Sequence, residues 1–201
     1  RPAQDYRESL GIVHDEGKRL SRIVEDLFTL ARADAGQYPL ETSNMYLDET
    51  VGQCVRSVDS LAQQRGLSLN YETSARELFF SGDEGLVCRM TLNLLDNAIK
   101  YTPRGGVVCV HLQRNARTCR LSIADTGVGI PAELQPKIFE RFFRVDQARS
   151  RNAEKNGSGA GLGLSIARWI AEMHGGHLDL DVSDQNGSTF IISLPLPQGS
   201  T

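Results

Sequence analysis

The first 35 residues carry apolar side chains at the spacing of an amphipathic helix. The apolar positions are Leu10, Val13, Leu20, Ile23, Val24, Leu27, Leu30 and Ala31. Several recur every seven residues, as in a coiled-coil seam, and Glu16 interrupts the series. The pattern predicts one helix from Asp5 to Ala35, ended by Gly36. Such a stripe needs a cover, which is either a second helix of the same chain or a second copy of the chain.

A different pattern begins at about Met45, after a linker that contains Tyr38-Pro39. Helices are predicted at 48–65 with Asp48 as the cap, at 83–102, after Pro131, and at 162–174. Strands are predicted at 67–71, 77–81, 108–112, 121–123, 178–182 and 190–194. These elements favour an α+β fold, a two-layer sandwich in which three helices cover one face of an antiparallel or mixed sheet.

Composition narrows the class of protein. The 201 residues are 40% apolar, enough for the core of one domain with a smaller attachment. The net charge of −3 argues against nucleic acid as a partner, because phosphate backbones select basic surfaces. The four cysteines, Cys54, Cys88, Cys109 and Cys119, form no C-x-x-C pair, so reduced thiols are expected rather than a disulfide framework or a zinc site. The sequence predicts neither a membrane span of ~18 apolar residues nor a signal peptide.

Two asparagines and a lysine share one face of the predicted helix 83–102. Asn93 and Asn97 are four residues apart and Lys100 follows three residues later, so the three side chains leave the helix together. Two amide oxygens beside one ammonium group suit a Mg²⁺ ion that is held jointly with phosphate oxygens. The alternative is a helix whose polar residues only face solvent. Asp96 points elsewhere and is expected to be solvated.

Two glycine-bearing segments follow. Asp125-Thr126-Gly127-Val128-Gly129-Ile130 comes directly after a predicted strand, where an aspartate often caps a turn and glycine lets the backbone approach a ligand. The run Gly157-Ser158-Gly159-Ala160-Gly161-Leu162-Gly163-Leu164 enters a helix, and backbone N–H groups at such positions bind phosphate. The second run has neither the Lys of a Walker loop nor the spacing of a dinucleotide fingerprint.

Aromatic and basic residues alternate in Phe139-Glu140-Arg141-Phe142-Phe143-Arg144. Clustered aromatic side chains more often belong to a core than to a site. Here they precede the polar segment 144–161, which is predicted to be a mobile loop because it shows no periodicity. Arg141 and Arg144 could meet a terminal phosphate, since a planar bidentate donor suits that task better than lysine.

In their order and spacing, the segment 93–101 and the three segments above resemble the N, first-glycine, F and second-glycine boxes of sensor histidine kinases. These boxes form the catalytic ATP-binding domain, within the superfamily of gyrase, chaperone, histidine kinase and MutL ATPases. The run Arg19-Leu20-Ser21-Arg22-Ile23-Val24-Glu25-Asp26-Leu27 is similar to the second helix of the dimerisation and phosphotransfer region. The resemblance implies that this helix occupies residues 1–36, a linker 37–45 and the catalytic domain 46–197.

The resemblance implies ATP and Mg²⁺ as cofactors. Asn97 would hold the metal, with Asn93 and Lys100 near the phosphates and Tyr101 near the base and ribose. Asp125 would accept a hydrogen bond from the exocyclic amine of adenine, which excludes guanine. The implied catalytic residues are Asn97, Lys100, Arg141 and Arg144. The implied nucleotide-binding residues are Asn93, Asn97, Lys100, Tyr101, Asp125, Gly127, Gly129, Ile130, Gly159, Gly161, Leu162 and Gly163.

The family reaction moves the γ-phosphoryl group of ATP to a histidine and then to an aspartate of a response regulator receiver domain. That histidine is followed by an acidic residue and, slightly later, by a proline. His14 has the acid without the proline, and we expect it to be a surface residue beside the seam. The first helix, which would carry the phosphoacceptor, is absent from this sequence. We therefore expect the chain to bind Mg-ATP without phosphorylating itself.

Two other classes of protein remain open. One is another member of the superfamily, such as an anti-sigma serine kinase or a gyrase- or chaperone-like ATPase; the other is a scaffold that has lost turnover. For a histidine kinase, we expect a homodimer through residues 10–31 together with the first helix. We also expect a cytoplasmic location in a membrane-anchored sensor, with membrane contact only through an N-terminal part outside this sequence.

Overall fold

The computed structural model describes residues 3–74, 76–145 and 160–196 and divides the chain into two compact units, Arg1–Pro39 and Leu40–Thr201. The first unit contains helix α1 (Ala3–Asp34). Gly36 stops this helix with φ +63°, while its N–H donates to Ala33 O and the Gln37 N–H donates to Arg32 O. This is the Schellman arrangement, so the predicted glycine stop is confirmed.

Most of the apolar stripe of α1 is exposed. Leu10, Val13, Leu20 and Val24 are each more than 60% exposed, at 68%, 67%, 61% and 63%. A helix with this much apolar surface in water favours association, because covering the surface removes it from solvent.

The second unit is built on a mixed five-stranded sheet. The strands described in this unit, including two outside the large sheet, are β1 (Ser43–Tyr46), β2 (Ser68–Thr73), β3 (Phe79–Gly82), β4 (Val107–Arg114), β5 (Thr118–Asp125), β6 (His177–Asp184) and β7 (Gly187–Pro195). The large sheet has the order β2-β4-β5-β7-β6, with β2 parallel to β4 and the other neighbours antiparallel. β1 and β3 form a separate antiparallel pair.

Three helices cover one face of the large sheet: α2 (Leu47–Gln64), α3 (Glu84–Tyr101) and α4 (Gly163–Met173). Alternate residues of β4 and β5 point into this layer. The buried ones are Val108, Val110, Leu112, Cys119, Leu121 and Ile123. The predicted α+β sandwich is therefore confirmed, and the sheet is of the mixed type.

Helix α3 starts where the sequence predicted. Asp83 is its cap, and the Asp83 Oδ1 accepts from the Leu86 N–H at 3.0 Å. The same residue is held from outside the helix, because its backbone N–H donates to His174 Nε2 at 3.0 Å. The His174 Nδ1 lies 2.8 Å from Ile170 O. The start of α3 is thereby tied to the end of α4.

Several local predictions were wrong. Asp48 does not cap α2: the cap position is Tyr46, and Asp48 instead accepts from the backbone N–H groups of Glu77 and Leu78 at 3.2 and 2.9 Å. The helix predicted after Pro131 is only a 3₁₀ turn, Gln135–Lys137. Strand β1 was not predicted, since its four residues are too few to establish a period.

The predicted mobile loop 144–161 lies largely outside the described residues. Among the helices that the structure describes, none is long and apolar enough to cross a membrane.

Candidate functional site

The predicted polar face of α3 lies at the border between the core and solvent. The side chains at this border, each half-buried, are Asn93, Asn97, Lys100 and Tyr101. Asp96 is exposed, as its position on the helix predicts. The partly buried amides and ammonium group can therefore contact a ligand without being fully hydrated beforehand.

One end of this face contacts the second glycine segment. Asn93 Nδ2 donates to Gly163 O at 3.1 Å, which joins α3 to the start of α4. Leu162 is only 1% exposed, and its carbonyl accepts from the Ser165 Oγ at 2.8 Å. The buried leucine anchors the first turn of α4 in the core, beside Asn93.

The other end of the face contacts the first glycine segment. Tyr101 O accepts from the Val128 N–H at 3.3 Å. A Cβ atom at Gly127 would lie 2.6 Å from the same carbonyl oxygen, so this close approach requires glycine. Lys100 Nζ lies 4.8 Å from the centroid of the Tyr101 ring, within cation–π range. Both glycine segments therefore meet α3, at opposite ends of one face.

Asp125 ends β5 and turns the chain into the first glycine segment. Its Oδ1 accepts from the Gly127 N–H at 2.8 Å, and its carboxylate also accepts from the backbone of Ser188. Burial raises the pKa of Asp125, and these two hydrogen bonds oppose the rise. A carboxylate that is held in place yet poorly solvated is suited to accept one further, directed hydrogen bond.

Three polar residues that sequence reasoning missed hold the first glycine segment. The Ser183 Oγ accepts from the Ile130 N–H at 2.8 Å and lies 2.8 Å from the Ser188 Oγ. Gln135 Nε2 donates to the carbonyls of Ile130 and Ser183 at 2.9 and 3.1 Å. The sequence offers only an indirect signal, the Gln185-Asn186 turn between β6 and β7, which brings the two serines opposite each other.

The first glycine segment also fits closely against the β6–β7 turn. Gly129 has φ +62°, and a Cβ atom there would lie 1.6 Å from Asp184 O. A Cβ atom at Gly187 would lie 1.8 Å from Asp125 O. Neither position could hold a side chain without displacing backbone.

The aromatic–basic segment meets the second glycine segment. The Phe142 N–H donates to Gly161 O at 2.9 Å, and Phe142 has φ +64°, which is rare for a residue other than glycine. A Cβ atom at Gly161 would lie 2.8 Å from Phe142 C. Phe139 is packed edge-on to Phe190, with ring centroids 6.4 Å apart, so it serves the core.

The two predicted arginines differ in environment. Arg141 is exposed, and Arg144 is half-buried. Within the described part of the chain, the buried Arg144 Nε has no hydrogen-bond partner. A buried N–H group in this state is unfavourable, so a ligand, water or neighbouring segment is expected to satisfy it. Gly159 lies outside the described residues.

A family model described as histidine kinase-, DNA gyrase B-, and HSP90-like ATPase matches residues 82–198. This range contains every box of the candidate site and more than half of the chain. The chain belongs to this ATPase family.

The curated relatives of the chain include sensor proteins. It is 34% identical over 194 residues to the sensor protein SrrB of Staphylococcus aureus, covering 96% of this chain and 32% of SrrB. The chain therefore spans about a third of the length of the curated relatives it matches.

Solved structures of histidine kinases are similar in fold to this chain. The catalytic domain of histidine kinase ThkA superposes with a TM-score of 0.67 at 27% identity, covering 78% of this chain and 98% of that one. ThkA in complex with the response regulator protein TrrA gives a TM-score of 0.75 at 24% identity, covering 100% and 54%, and supports the fold. The resemblance to sensor histidine kinases is confirmed, and the second unit contains a histidine kinase ATPase domain.

Proposed function

We propose that the second unit binds Mg-ATP along the polar face of α3, between the two glycine segments. One observation carries this proposal: Gly127 and Val128 contact α3 at Tyr101, and Gly163 contacts it at Asn93. Eight residues separate these points, which corresponds to roughly 12 Å along a helix. The base would lie at the Asp125 end and the phosphates at the Gly163 end.

At the base end, Asp125 would accept a hydrogen bond from the exocyclic amine of adenine. Guanine carries a carbonyl at that position and would leave the half-buried carboxylate facing another acceptor. Gly127, Gly129 and Ile130 would line the base, and Tyr101 would pack near the base and ribose. Because the turn is held by Ser183, Gln135 and Ser188, the carboxylate needs little reorganisation when the base arrives.

At the phosphate end, the amides and charges of α3 fit a Mg²⁺ ion carried by the nucleotide. Asn97 would hold the metal, while Asn93 and Lys100 would contact phosphate oxygens. Bound Mg²⁺ would neutralise charge on the phosphates. No cluster of three or more His, Cys, Asp or Glu side chains suited to a metal occurs in residues 3–74, 76–145 and 160–196. Amide and phosphate oxygens together would form the ligand set, since Mg²⁺ prefers oxygen ligands.

Backbone and arginine groups would complete the phosphate end. The N–H groups of Gly159, Gly161, Leu162 and Gly163 would approach phosphate oxygens at the start of α4. Arg141 and Arg144 would contact the γ-phosphate, and the unsatisfied Arg144 Nε supports the second assignment.

In a longer protein, the γ-phosphoryl group would leave ATP, with ADP as the other product, and bond to a histidine nitrogen of the dimerisation region. An aspartate of a receiver domain would then accept it, a relay supported by the naming of SrrB as a sensor protein and by the ThkA–TrrA complex. The exposed stripe within residues 10–31 supports a homodimer completed by the first helix. We place this region in the cytoplasm, with any membrane contact through a preceding segment.

Isothermal titration tests nucleotide binding with a non-hydrolysable ATP analogue and Mg²⁺. We expect saturable binding of the ATP analogue and no binding of GTP. Asn97→Ala should weaken the binding about tenfold, or ~1.4 kcal/mol, by removing the metal ligand. The matched control is Asp96→Ala on the exposed side of the same turn, which should leave affinity unchanged. Equal loss in both variants, or no binding by the unaltered chain, would refute the proposal.

A second experiment tests the assignment of the phosphoacceptor to another part of the protein. Incubation with ATP labelled in the γ-phosphate should leave this chain unlabelled. Stable labelled protein would show that a histidine of this chain, such as His14, accepts phosphate after all.

A further inference from the structure

Helices α2 and α3 lie side by side with a constant sequence offset. Thr50 Oγ1 donates to Glu84 Oε1 at 3.3 Å, and Arg65 Nη1 donates to Ile99 O at 3.3 Å. Each pair is separated by 34 residues, near the start and the end of α2 respectively. The two helices therefore run in the same direction, and their register is fixed at both ends.

Cys54 and Cys88 occupy the same register, one helical turn after the first of these contacts. Their Sγ atoms lie 2.7 Å apart, and both cysteines are free thiols. A disulfide bond is about 2.05 Å long, so the sulfurs need to approach by less than 1 Å to form one. The other cysteines, Cys109 and Cys119, lie on strands β4 and β5, and neither is opposite the other in the β4–β5 pairing.

We propose that Cys54 and Cys88 form a redox site that closes to a reversible intramolecular disulfide, covalently joining α2 to α3. A peroxide is the two-electron oxidant. It converts the Cys88 thiol to a sulfenic acid with release of water or an alcohol. The Cys54 sulfur then attacks the Cys88 sulfur, its proton leaves with the hydroxyl as water, and the S–S bond forms. A dithiol reductant returns both thiols, and such transient disulfides occur in reducing compartments.

Exposure determines the order of these steps. Cys88 is half-buried and open to a small oxidant, whereas Cys54 is only 1% exposed. Burial raises the pKa of the Cys54 thiol, and its contact with Cys88 raises it further. Cys54 therefore stays protonated and unreactive until the neighbouring sulfur is oxidised.

The bond would act on the helix that carries the polar face of the candidate site. Asn93 follows Cys88 by five residues on α3, about 7.5 Å along the axis. A Cys54–Cys88 bond would close a loop across the 34 residues that separate the two cysteines. Closing this loop restricts the unfolded chain, so the oxidised form should be the more stable one. The inference does not rest on the proposed nucleotide function, and its failure would leave that function untouched.

The test uses the folded chain treated with hydrogen peroxide. Remaining thiols are alkylated under denaturing conditions and the peptides are mapped by mass. We expect a linked peptide that joins Cys54 to Cys88, a mass lower by two hydrogens, and full recovery of both thiols with dithiothreitol. Thermal unfolding before and after oxidation should show a midpoint several degrees higher for the linked form.

Three serine variants give the controls. Cys109→Ser should still form the bond, whereas Cys54→Ser and Cys88→Ser should each abolish both the bond and the rise in the midpoint. In Cys54→Ser, Cys88 should still oxidise, because it is the more accessible of the two cysteines. The proposal is wrong if Cys54 and Cys88 both remain open to alkylation after Cys109 has oxidised. It is also wrong if the only linked peptides contain Cys109 or Cys119.

Discussion

The two ends of the candidate nucleotide site are built differently. The adenine end comprises Asp125–Ile130 with Ser183, Ser188 and Gln135, and side chains and close-packed glycines fix it before any ligand binds. The phosphate end comprises Asn93, Phe142–Arg144 and Gly161–Gly163. It has the Asn93–Gly163 and Phe142–Gly161 hydrogen bonds and a buried Arg144 Nε that no described residue satisfies.

This difference matches what each end would recognise. In the proposed function, selection of adenine would rest on one directed hydrogen bond, and a misplaced carboxylate would lose it. The phosphates would be held by several charges and backbone N–H groups, so that the ligand itself could complete that end. We therefore expect residues of the adenine end to contribute to the free energy of unfolding, and residues of the phosphate end to contribute little to it.

The largest expected effect is at Gly129. Gly129→Ala would place a methyl group 1.6 Å from Asp184 O at φ +62°, and we expect the free energy of unfolding to fall by about 3 kcal/mol or more. Gly105→Ala is the matched control. Gly105 has φ +87° with no atom within 4 Å of the added methyl group, so only strain of about 1–2 kcal/mol applies. Urea denaturation measures both, and equal losses would show that the turn is not closely packed.

Asp125→Asn should separate binding from stability. Loss of the charged acceptor should weaken adenine nucleotide binding about 10- to 100-fold, because hydrogen bonds to charged groups contribute about 1.5–3 kcal/mol. Titration calorimetry measures this.

Stability should not fall in the same variant at neutral pH. Burial raises the folded-state pKa of Asp125, so its ionisation lowers stability as pH rises from the ordinary carboxyl pKa through the raised one. The free energy of unfolding of Asp125→Asn should equal that of the wild type at pH values below the ordinary carboxyl pKa. At pH values above the raised pKa it should equal or exceed that of the wild type. Thermal unfolding across this pH range checks the sign, and a clear loss of stability at neutral pH would contradict it.

Ser183→Ala should have a smaller effect. The Ile130 N–H would lose its acceptor, and we expect the free energy of unfolding to fall by about 1–2 kcal/mol. Ser60→Ala, at an exposed position of α2, should change it by less than about 0.5 kcal/mol. Denaturant titration of the two variants measures the contribution of the serine network. Equal free energies of unfolding for the two variants would show that Ser183 does not stabilise the adenine end.

Arg144→Ala should change stability least, by less than about 0.5 kcal/mol, because its buried Nε has no described partner to lose. The same variant should narrow the difference in affinity between an ATP analogue and ADP, since only the former has a γ-phosphate. Calorimetry with the two nucleotides measures this. A loss of more than about 1 kcal/mol in stability would mean that the phosphate end is as preformed as the adenine end.

Local pattern was sufficient for most of the fold. The spacing of apolar residues predicted α1, and the helix predicted to begin at Asp83 starts there. It failed where a distant partner decides the outcome: Asp48 looks like a helix cap but binds the backbone at Glu77 and Leu78, about thirty residues away.

In the candidate site, too, some features follow from the local sequence and others depend on distant partners. The sequence by itself determined that Asn93, Asn97 and Lys100 share one face, because four- and three-residue spacings act within a single helix. Only the tertiary structure decided that Ser183 and Gln135 hold the glycine turn, and that Cys54 meets Cys88. Those contacts join residues far apart along the chain, and they exist only once the helices and strands have packed.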